Sequence, residues 1–422
     1  MKSLSRYSKY RDSGVEWIGE IPEHWEIEKL KYISHIIMGQ SPEQVYVNQK
    51  NKGIPFLQGN AEFSKINPKE KNWCTAPKKI TLKNDILYSV RAPIGAINIS
   101  HKSFCIGRGL CGLRNKTQMY NKYLFYSATL FKQELNKYST GSTFEAISVI
   151  NIKNLKTVLP PKQEQIKIAN YLDQKTEQID KAISQKKELI KLLKERKEIL
   201  IKDAITQGVD KTVSMMESGI KWLGKVPKHW DIKKGKYLFK EIDERSKDGK
   251  EELLSVSHMT GVTPRSEKNV TMFMSEDYTG SKTCQKDDLV INIMWAWMGA
   301  LGVSDREGIV SSSYGIYRQR EPNTFNSSYL EYLLRTNDYI AEYNRRSTGL
   351  HVSRLRLYSD RFLDMKMAIP PIEEQNAIIN FIKENNSKID KAINLQEEQI
   401  ERLKELKETL IDSCVTGKVK VP

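Results

Sequence analysis

Several short motifs in this sequence have the spacing of catalytic or cofactor-binding elements. Gly107-x-Gly109-x-x-Gly112 has the pattern of a dinucleotide-binding loop, in which glycines let the backbone approach a pyrophosphate at a helix N-terminus. The run that follows, Leu113 to Gln118, is polar and loop-like, so no helix is expected there to receive phosphates. Gly219-x4-Gly224-Lys225 resembles a P-loop, but Val226 stands where a Ser or Thr must reach magnesium. A flipped adenine is held for methylation by an Asn- or Asp-Pro-Pro-aromatic motif. The two Pro-Pro pairs here follow Leu159 and Ile369 and precede Lys162 and Ile372 instead. His101-x3-Cys105 could seed a metal site, yet no second ligand pair follows. The five cysteines (Cys74, Cys105, Cys111, Cys284 and Cys414) are scattered and form no C-x-x-C pair, which reads as reduced structural thiols. No HExxH, GxSxG or EF-hand loop is present. The sequence therefore predicts no catalytic, cofactor or metal site.

The elements that hold these motifs are written twice. Ser13-Gly-Val-Glu-Trp-Ile-Gly-Glu-Ile-Pro-Glu-His-Trp25 returns as Ser218-Gly-Ile-Lys-Trp-Leu-Gly-Lys-Val-Pro-Lys-His-Trp230. The glycines of the apparent P-loop belong to this repeat, whose first copy has Glu20 at the lysine position. Leu159-Pro160-Pro161 with Glu164-Gln165 returns as Ile369-Pro370-Pro371 with Glu374-Gln375. Ile179-Asp-Lys-Ala-Ile183 returns as Ile389-Asp-Lys-Ala-Ile393. Weaker echoes lie between, such as Ser139-Thr-Gly141 with Ser347-Thr-Gly349. A period of roughly 205 to 210 residues is far too long for a solenoid and fits two copies of a head followed by a helix.

After Pro161 a helical pattern runs to about Thr206, with the proline pair suited to a helix start. Apolar residues at Ile168, Leu172, Ile179, Ala182, Leu189, Leu193 and Leu200 keep heptad spacing. The second copy places Ile378, Ile382, Ile389, Ala392, Gln399, Leu403 and Leu410 in the same register, with Gln399 as an interruption. Such a stripe must be buried. The economical partner is the other copy, giving a coiled coil; the alternative is two helices each packed on its own head.

Each head mixes strands with helices and is expected to be α+β. In the first, Asp85 to Arg91, Ala96 to Ser100 and Leu110 to Leu113 read as strands and Asn121 to Tyr138 as a helix. In the second, Asp288 to Met294 and Gly308 to Tyr317 read as strands and Ser327 to Tyr343 as a helix. The loops differ in letters: Arg91-Ala-Pro-Ile-Gly95 in one head, Trp295-Ala-Trp-Met-Gly299 in the other. Trp295 and Trp297 read as core. Trp17, Trp25, Trp222 and Trp230 read as packing of head on helix, with His24 and His229 part of that frame. A formal net charge of +16 favours a polyanionic partner, nucleic acid or an anionic membrane. No apolar run is long enough for a transmembrane helix, and the polar N-terminus lacks a signal-peptide core, so a cytoplasmic location is expected.

The tryptophan block, the Leu-Pro-Pro-x-x-Glu-Gln helix start and the Ile-Asp-Lys-Ala-Ile segment, each twice in this order, resemble the specificity (S) subunit of type I restriction–modification systems, the HsdS family. The resemblance covers nearly the whole chain. It implies an α+β protein with two target-recognition domains, each followed by a long helix, the helices pairing as an antiparallel coiled coil with pseudo-twofold symmetry. The domains would be 1–160, a spacer helix over 161–208, 209–370, and a second spacer helix over 371–422. Each head would read half of a bipartite, asymmetric site in double-stranded DNA, and the coiled coil would set the spacing of the halves. Two methyltransferase subunits holding S-adenosylmethionine and two ATP-dependent motor–nuclease subunits would supply the chemistry. The chain itself would be non-catalytic and hold no cofactor.

Base reading requires Arg, Asn, Gln or small polar groups on protruding loops. Candidates in the first head are Gln58, Asn60, Arg91 and the loop carrying Ser139, Thr140, Ser142 and Thr143. Those in the second are His258, Thr260, Arg265, Arg345, Arg346 and His351. Two other readings compete: a single-chain enzyme that reads and modifies or cuts DNA, and a structural coiled-coil scaffold. The missing motifs count against the first; the charge and divergent loops count against the second.

Overall fold

The computed structural model describes residues 4–138, 147–267, 277–349, 351 and 355–422. The chain divides into two compact units, Met1–Lys186 with Glu397–Pro422, and Lys187–Gln396. Two long helices, Lys162–Gln207 and Ile372–Val415, begin after the two proline pairs, as their sequence pattern predicts. Each contributes one part to each unit.

In the first unit a four-stranded antiparallel sheet has the order Ile97–Ile99, Ile86–Ser89, Leu110–Asn115, Ser34–Met38. In the second unit Leu301–Val303, Leu289–Ile291, Gly315–Gln319 and Phe239–Ile242 take the same order. Each head closes by pairing a strand near the tryptophan block with the strand that leads into the prolines. These pairs are Glu26–Lys29 with Lys156–Leu159, and Asp231–Lys234 with Lys366–Ile369. The heads differ beside this shared sheet. The first adds a five-stranded sheet that includes one parallel pair, Ile54–Leu57 with Phe104–Ile106. The second has the hairpin Leu254–Ser257 with Gly261–Pro264 and a separate pair, Lys282–Cys284 with Gly308–Val310.

Two predicted elements are broken. The strand expected over 308–317 is two strands in different sheets, separated by a turn in which Tyr314 N–H donates to the Ser311 carbonyl at 2.9 Å. The helix expected over 327–343 is Ser327–Leu334 and Asn337–Arg346. It breaks at Thr336, whose extended backbone starts the second helix, and the break lets Tyr339 and Tyr343 enter the core fully buried.

The long helices pack in both ways the sequence allowed. In the first unit the N-terminal part of the first long helix supplies Ile168 and Leu172 to the head's core beside Trp25, Tyr123 and Phe131. The end of the second long helix supplies Ile411, Cys414 and Val415 to the same core. In the second unit Ile378 and Ile382 join Ala204 and Ile205 around Trp230, Tyr329 and Leu330. The helices run antiparallel within a unit. In the first, Asp180 meets Lys407 and Lys186 meets Gln399, so numbers rise on one helix as they fall on the other.

The half-buried seam departs from the predicted stripe most clearly at Leu189, and Ala182, Ala392 and Gln399 lie beside it rather than on it. It runs through Ile179, Ile183, Lys186, Ile190, Leu193, Lys197, Leu200 and Ala204, and through Ile389, Ile393, Gln396, Ile400, Leu403, Lys407, Leu410 and Cys414 on the second helix. These are two interleaved seven-residue series, as a coiled-coil seam requires. Leu189, placed in the stripe from its apolarity, is 43% exposed. Its neighbour Ile190, about 100° round the helix, faces inward instead.

Candidate functional site

The repeated motifs form the junction between head and long helix. Glu164, two residues into its helix, accepts a hydrogen bond from Trp25 Nε1 at 3.1 Å and one from the Tyr7 hydroxyl at 3.0 Å. His24 Nε2 lies 2.7 Å from the same carboxylate. In the second unit Glu374 accepts from Trp230 Nε1 at 3.1 Å and meets His229 Nε2 at 2.7 Å. Burial pushes the Glu164 carboxyl up, but the bonds from His24, Trp25 and Tyr7 outweigh it and hold the group below the usual range.

The adjacent glutamine satisfies head backbone. Gln165, fully buried, accepts from Tyr120 N–H at 2.6 Å and donates to the Gln118 and Pro160 carbonyls at 3.0 and 2.8 Å. Gln375 does the same with Asn326 N–H and the Thr324 and Pro370 carbonyls. The Pro-Pro-x-x-Glu-Gln motif is thus a docking plug, and His24 and His229 belong to it. Trp25 and Trp230 pack at the helix, as expected. Trp222 instead meets Tyr339 edge-on at 4.6 Å inside its head.

The motifs that suggested cofactor chemistry have other duties. The run after Gly107 and Gly109 enters the strand Leu110–Asn115 and no helix. Gly219 and Gly224 are left-handed turn residues that match Gly14 and Gly19. In both copies a serine N–H closes the turn, Ser13 onto Gly19 and Ser218 onto Gly224. His101 pairs with Glu70 at 3.2 Å rather than with Cys105. The five thiols are buried; burial pushes Cys111 and Cys414 up to about 12 and Cys284 up to about 11. Among the described residues no group of His, Cys, Asp and Glu could hold a metal, and no helix is long and apolar enough to cross a membrane.

One shared feature escaped sequence reading. Asp85, 2% exposed, receives Arg114 bidentately at 2.9 and 2.8 Å; Asp288, 1% exposed, receives Arg318 at 2.8 and 2.8 Å. Each carboxylate also accepts a backbone N–H at the start of its turn, from Leu82 and from Gln285 at 2.8 Å. The partners are too far apart in sequence for local pattern to pair them. Only alignment of the two copies would have shown Asp and Arg recurring together.

On this frame the candidate loops separate into groups. In the first head Gly109 N–H donates to the Gln58 carbonyl at 3.3 Å, and Val90 N–H donates to the Gly109 carbonyl at 3.0 Å. Gln58 and Arg91 therefore flank one glycine, both exposed, with Asn60 just beyond on a short turn. Arg108 is exposed beside them, between glycines whose spacing in the sequence resembles a phosphate loop. Ser139, Thr140, Ser142 and Thr143 lie outside the described residues.

In the second head His258 and Thr260 sit at the tip of the hairpin, with Thr260 Oγ1 2.9 Å from Ser257 Oγ. Arg335 ties this tip through the His258 and Met259 carbonyls. Arg265 lies at the opposite end of the same hairpin, so the structure does not bring it together with His258. Arg345 and Arg346 are engaged by Glu342, 4% exposed, and share a cleft with Gly219, Trp222 and Asp364. His351 is exposed.

Trp295 and Trp297 overturn their assignment to the core. Trp295 is 50% exposed, and the two rings stack 6.2 Å apart at 16°. Their loop is the counterpart of the Arg91 loop. Ser89 N–H donates to the Ala96 carbonyl and Asn292 N–H to the Ala300 carbonyl, at 2.8 and 2.9 Å. Ile147 N–H donates to Val90 and Leu357 N–H to Ile293, at 3.0 and 2.9 Å.

A family model described as the type I restriction modification DNA specificity domain matches residues 22–192. The putative type I restriction enzyme MjaX specificity subunit of Methanocaldococcus jannaschii is 41% identical over 190 residues, 42% of this chain and 44% of that one. The MjaVIII specificity subunit of the same organism is 24% identical over 428 residues, 95% of this chain and 94% of that subunit. The first half of the chain is therefore similar to type I restriction enzyme specificity subunits. The alignment with the MjaX protein spans less than half of that relative's length. A solved HsdS subunit from Thermoanaerobacter tengcongensis aligns over 40% of each chain at 36% identity, with a TM-score of 0.35. The matched stretch of the family model contains the first docking plug and most of the first head's loops.

Proposed function

We propose that this chain is the DNA-reading subunit of a type I restriction–modification complex. The observation that carries the reading is a frame held by the same bonds in both units while its exposed loops differ. The plug at Glu164 and Gln165 recurs at Glu374 and Gln375, and the Asp85–Arg114 clamp recurs at Asp288–Arg318. The equivalent loops nevertheless present Arg91 in one head and Trp295 in the other. Two different readers on one frame suit a bipartite, asymmetric duplex target. The net charge of +16 suits phosphate contacts, which position a protein on DNA without specifying sequence.

The target-recognition domains are 1–160 and 209–370, with spacer segments over 161–208 and 371–422 that contain the helices Lys162–Gln207 and Ile372–Val415. The reading residues are Gln58, Asn60 and Arg91, together with Ser139, Thr140, Ser142 and Thr143, and His258, Thr260, Arg265 and His351 in the second head, while Arg108 contacts phosphate. Arg345 and Arg346 act first on Glu342. Adenine methylation belongs to two methyltransferase subunits and ATP-dependent cleavage to two motor–nuclease subunits, so this chain binds neither S-adenosylmethionine nor ATP. The complex works on DNA in the cytoplasm.

The test is to map methylated adenines in cells that express the chain with its methyltransferase. A split, non-palindromic motif absent from cells with the methyltransferase alone is the expected result. Methyl transfer from labelled S-adenosylmethionine by the purified chain alone would replace this reading with that of a single-chain enzyme.

A further inference from the structure

The second head carries an aromatic plane whose place in the fold the frame does not explain. The loop from Asn292 to Ala300 is stiff. Asn292 Oδ1 accepts from Met294 N–H at 3.2 Å, and its Nδ2 donates to the Tyr314 hydroxyl at 3.1 Å. Trp295 N–H donates to the Asn292 carbonyl at 3.0 Å, and the Trp295 carbonyl accepts from Met298 and Ala300. Trp297 is locked behind by its indole N–H on the Met294 carbonyl at 3.1 Å. Gly299, left-handed at φ 79°, closes the turn against Ile340; a Cβ there would lie 2.8 Å from Ile340 Cδ1. The backbone that carries Trp295 is therefore held, and its half-exposed ring stacks on that of Trp297.

The surroundings select its partner. Leu357 pairs with Ile293 at the base of the loop and is flanked by exposed Arg356 and by Tyr358, 47% exposed. Arg265 lies near Tyr314, the residue that anchors Asn292. Neither Arg356 nor Arg265 has an ion-pair partner among the described residues. A presented aromatic ring on a loop whose base lies near uncommitted guanidinium groups matches a polyanion that also offers flat apolar rings, which is nucleic acid. An apolar protein surface would leave those cations uncompensated.

We propose that Trp295 is a DNA-contacting residue that packs its indole on a base of the second half of the DNA target, with Arg356 on the adjoining phosphate. This rests on the DNA-reading function proposed above. The contact is apolar, so it adds affinity without displacing counterions, whereas Arg356 displaces them.

The test uses the full chain assembled with its methyltransferase and a duplex selected by the wild-type complex from a random-sequence library. Binding is measured across a salt series. W295A should weaken binding to the selected duplex between about 5-fold and 150-fold, the range of base–aromatic contacts, with the slope against log salt unchanged. W295F should recover most of the loss. R356A should lower the slope by about one. Wild-type affinity in W295A overturns the proposal and leaves DNA reading standing. Loss of the methyltransferase from the W295A complex also overturns it, marking a protein contact. Failure of the wild-type complex to enrich any sequence removes both readings together.

Discussion

Lys407 donates to Asp180 at 2.7 Å, and the repeat-related Lys197 donates to Asp390 at the same distance. Each pair lies within one unit, and each lysine occupies a seam position where apolar residues are the rule. A lysine there buries its stem and carries the charge to the edge. The carboxylates stand on the partner helix, so the pairs help fix antiparallel register. Replacing Lys407 or Lys197 with methionine keeps the stem and removes the charge. Each should cost about 0.5–1 kcal/mol, since both pairs are partly solvated. Lys407→Glu should cost more, because it places two carboxylates together. Urea unfolding of the single and double variants measures this; a Lys407→Met protein as stable as the parent refutes the role.

The plug supplies a pH dependence. Burial raises Glu164, but the bonds from His24, Trp25 and Tyr7 leave it below its ordinary value. A carboxylate depressed in the folded state contributes stability that is present above its unfolded pKa, about 4.3. That contribution is lost as pH falls through the folded value. Asp180 adds in the same direction: burial raises it, and Lys407 and Lys65 lower it further. The melting temperature should therefore drop below about pH 4.3, and Glu164→Gln should flatten that limb. At neutral pH Glu164→Ala should cost about 1–3 kcal/mol, because the buried Trp25 N–H loses its acceptor. Equal acid sensitivity in parent and Glu164→Gln counts against the assignment.

How much of this was legible in the sequence depends on whether the signal was local. The tryptophan block and the Pro-Pro-x-x-Glu-Gln motif repeat as contiguous strings, so the helix starts and the head-on-helix role of Trp25 and Trp230 could be read directly. The seam was legible except where it turned polar: Lys186, Lys197 and Lys407 are invisible to an apolar search, and Leu189 was chosen over Ile190 because both are apolar. The break at Thr336 depends on two buried tyrosines turning inward, a tertiary demand that overrides helical pattern. Trp295 was misread because a large aromatic is usually interior. Its exposure follows from a turn closed by Asn292 and Gly299, which the letters alone do not reveal.

The clamp between Asp288 and Arg318 yields a stability prediction in the second head, with Asp85 and Arg114 its counterpart in the first. Both aspartates are almost fully buried and take two guanidinium bonds and one backbone N–H. Asp288→Asn keeps the shape but removes the charge that Arg318 was folded against. Breaking one side of such a buried pair costs about 3 kcal/mol. That is enough to unfold the second unit many degrees early while the first is less affected. Asp85→Asn should show the reverse order. Limited proteolysis with peptide identification distinguishes them, and simultaneous loss of both units in either variant contradicts this local account.

Arg91 tests the reading of the first half-site. It is exposed on the loop anchored by Ser89, whose hydroxyl donates to the Arg91 and Pro93 carbonyls at 2.9 Å each. The loop is therefore fixed while the guanidinium is left without an ion-pair partner among the described residues. Arg108 stands nearby, equally exposed. A guanidinium reading a guanine edge contributes discrimination of about 1–3 kcal/mol at one base position; one on a phosphate contributes affinity to every sequence. Arg91→Ala should relax one or two positions of the first half of the methylated motif and leave the second half intact. Arg108→Ala should instead weaken binding to all duplexes and lower the salt slope by about one. Methylome mapping reads the first effect and a salt titration the second. Relaxation confined to the second half in Arg91→Ala would assign this loop to the wrong half-site, and an unchanged motif would remove Arg91 from base reading.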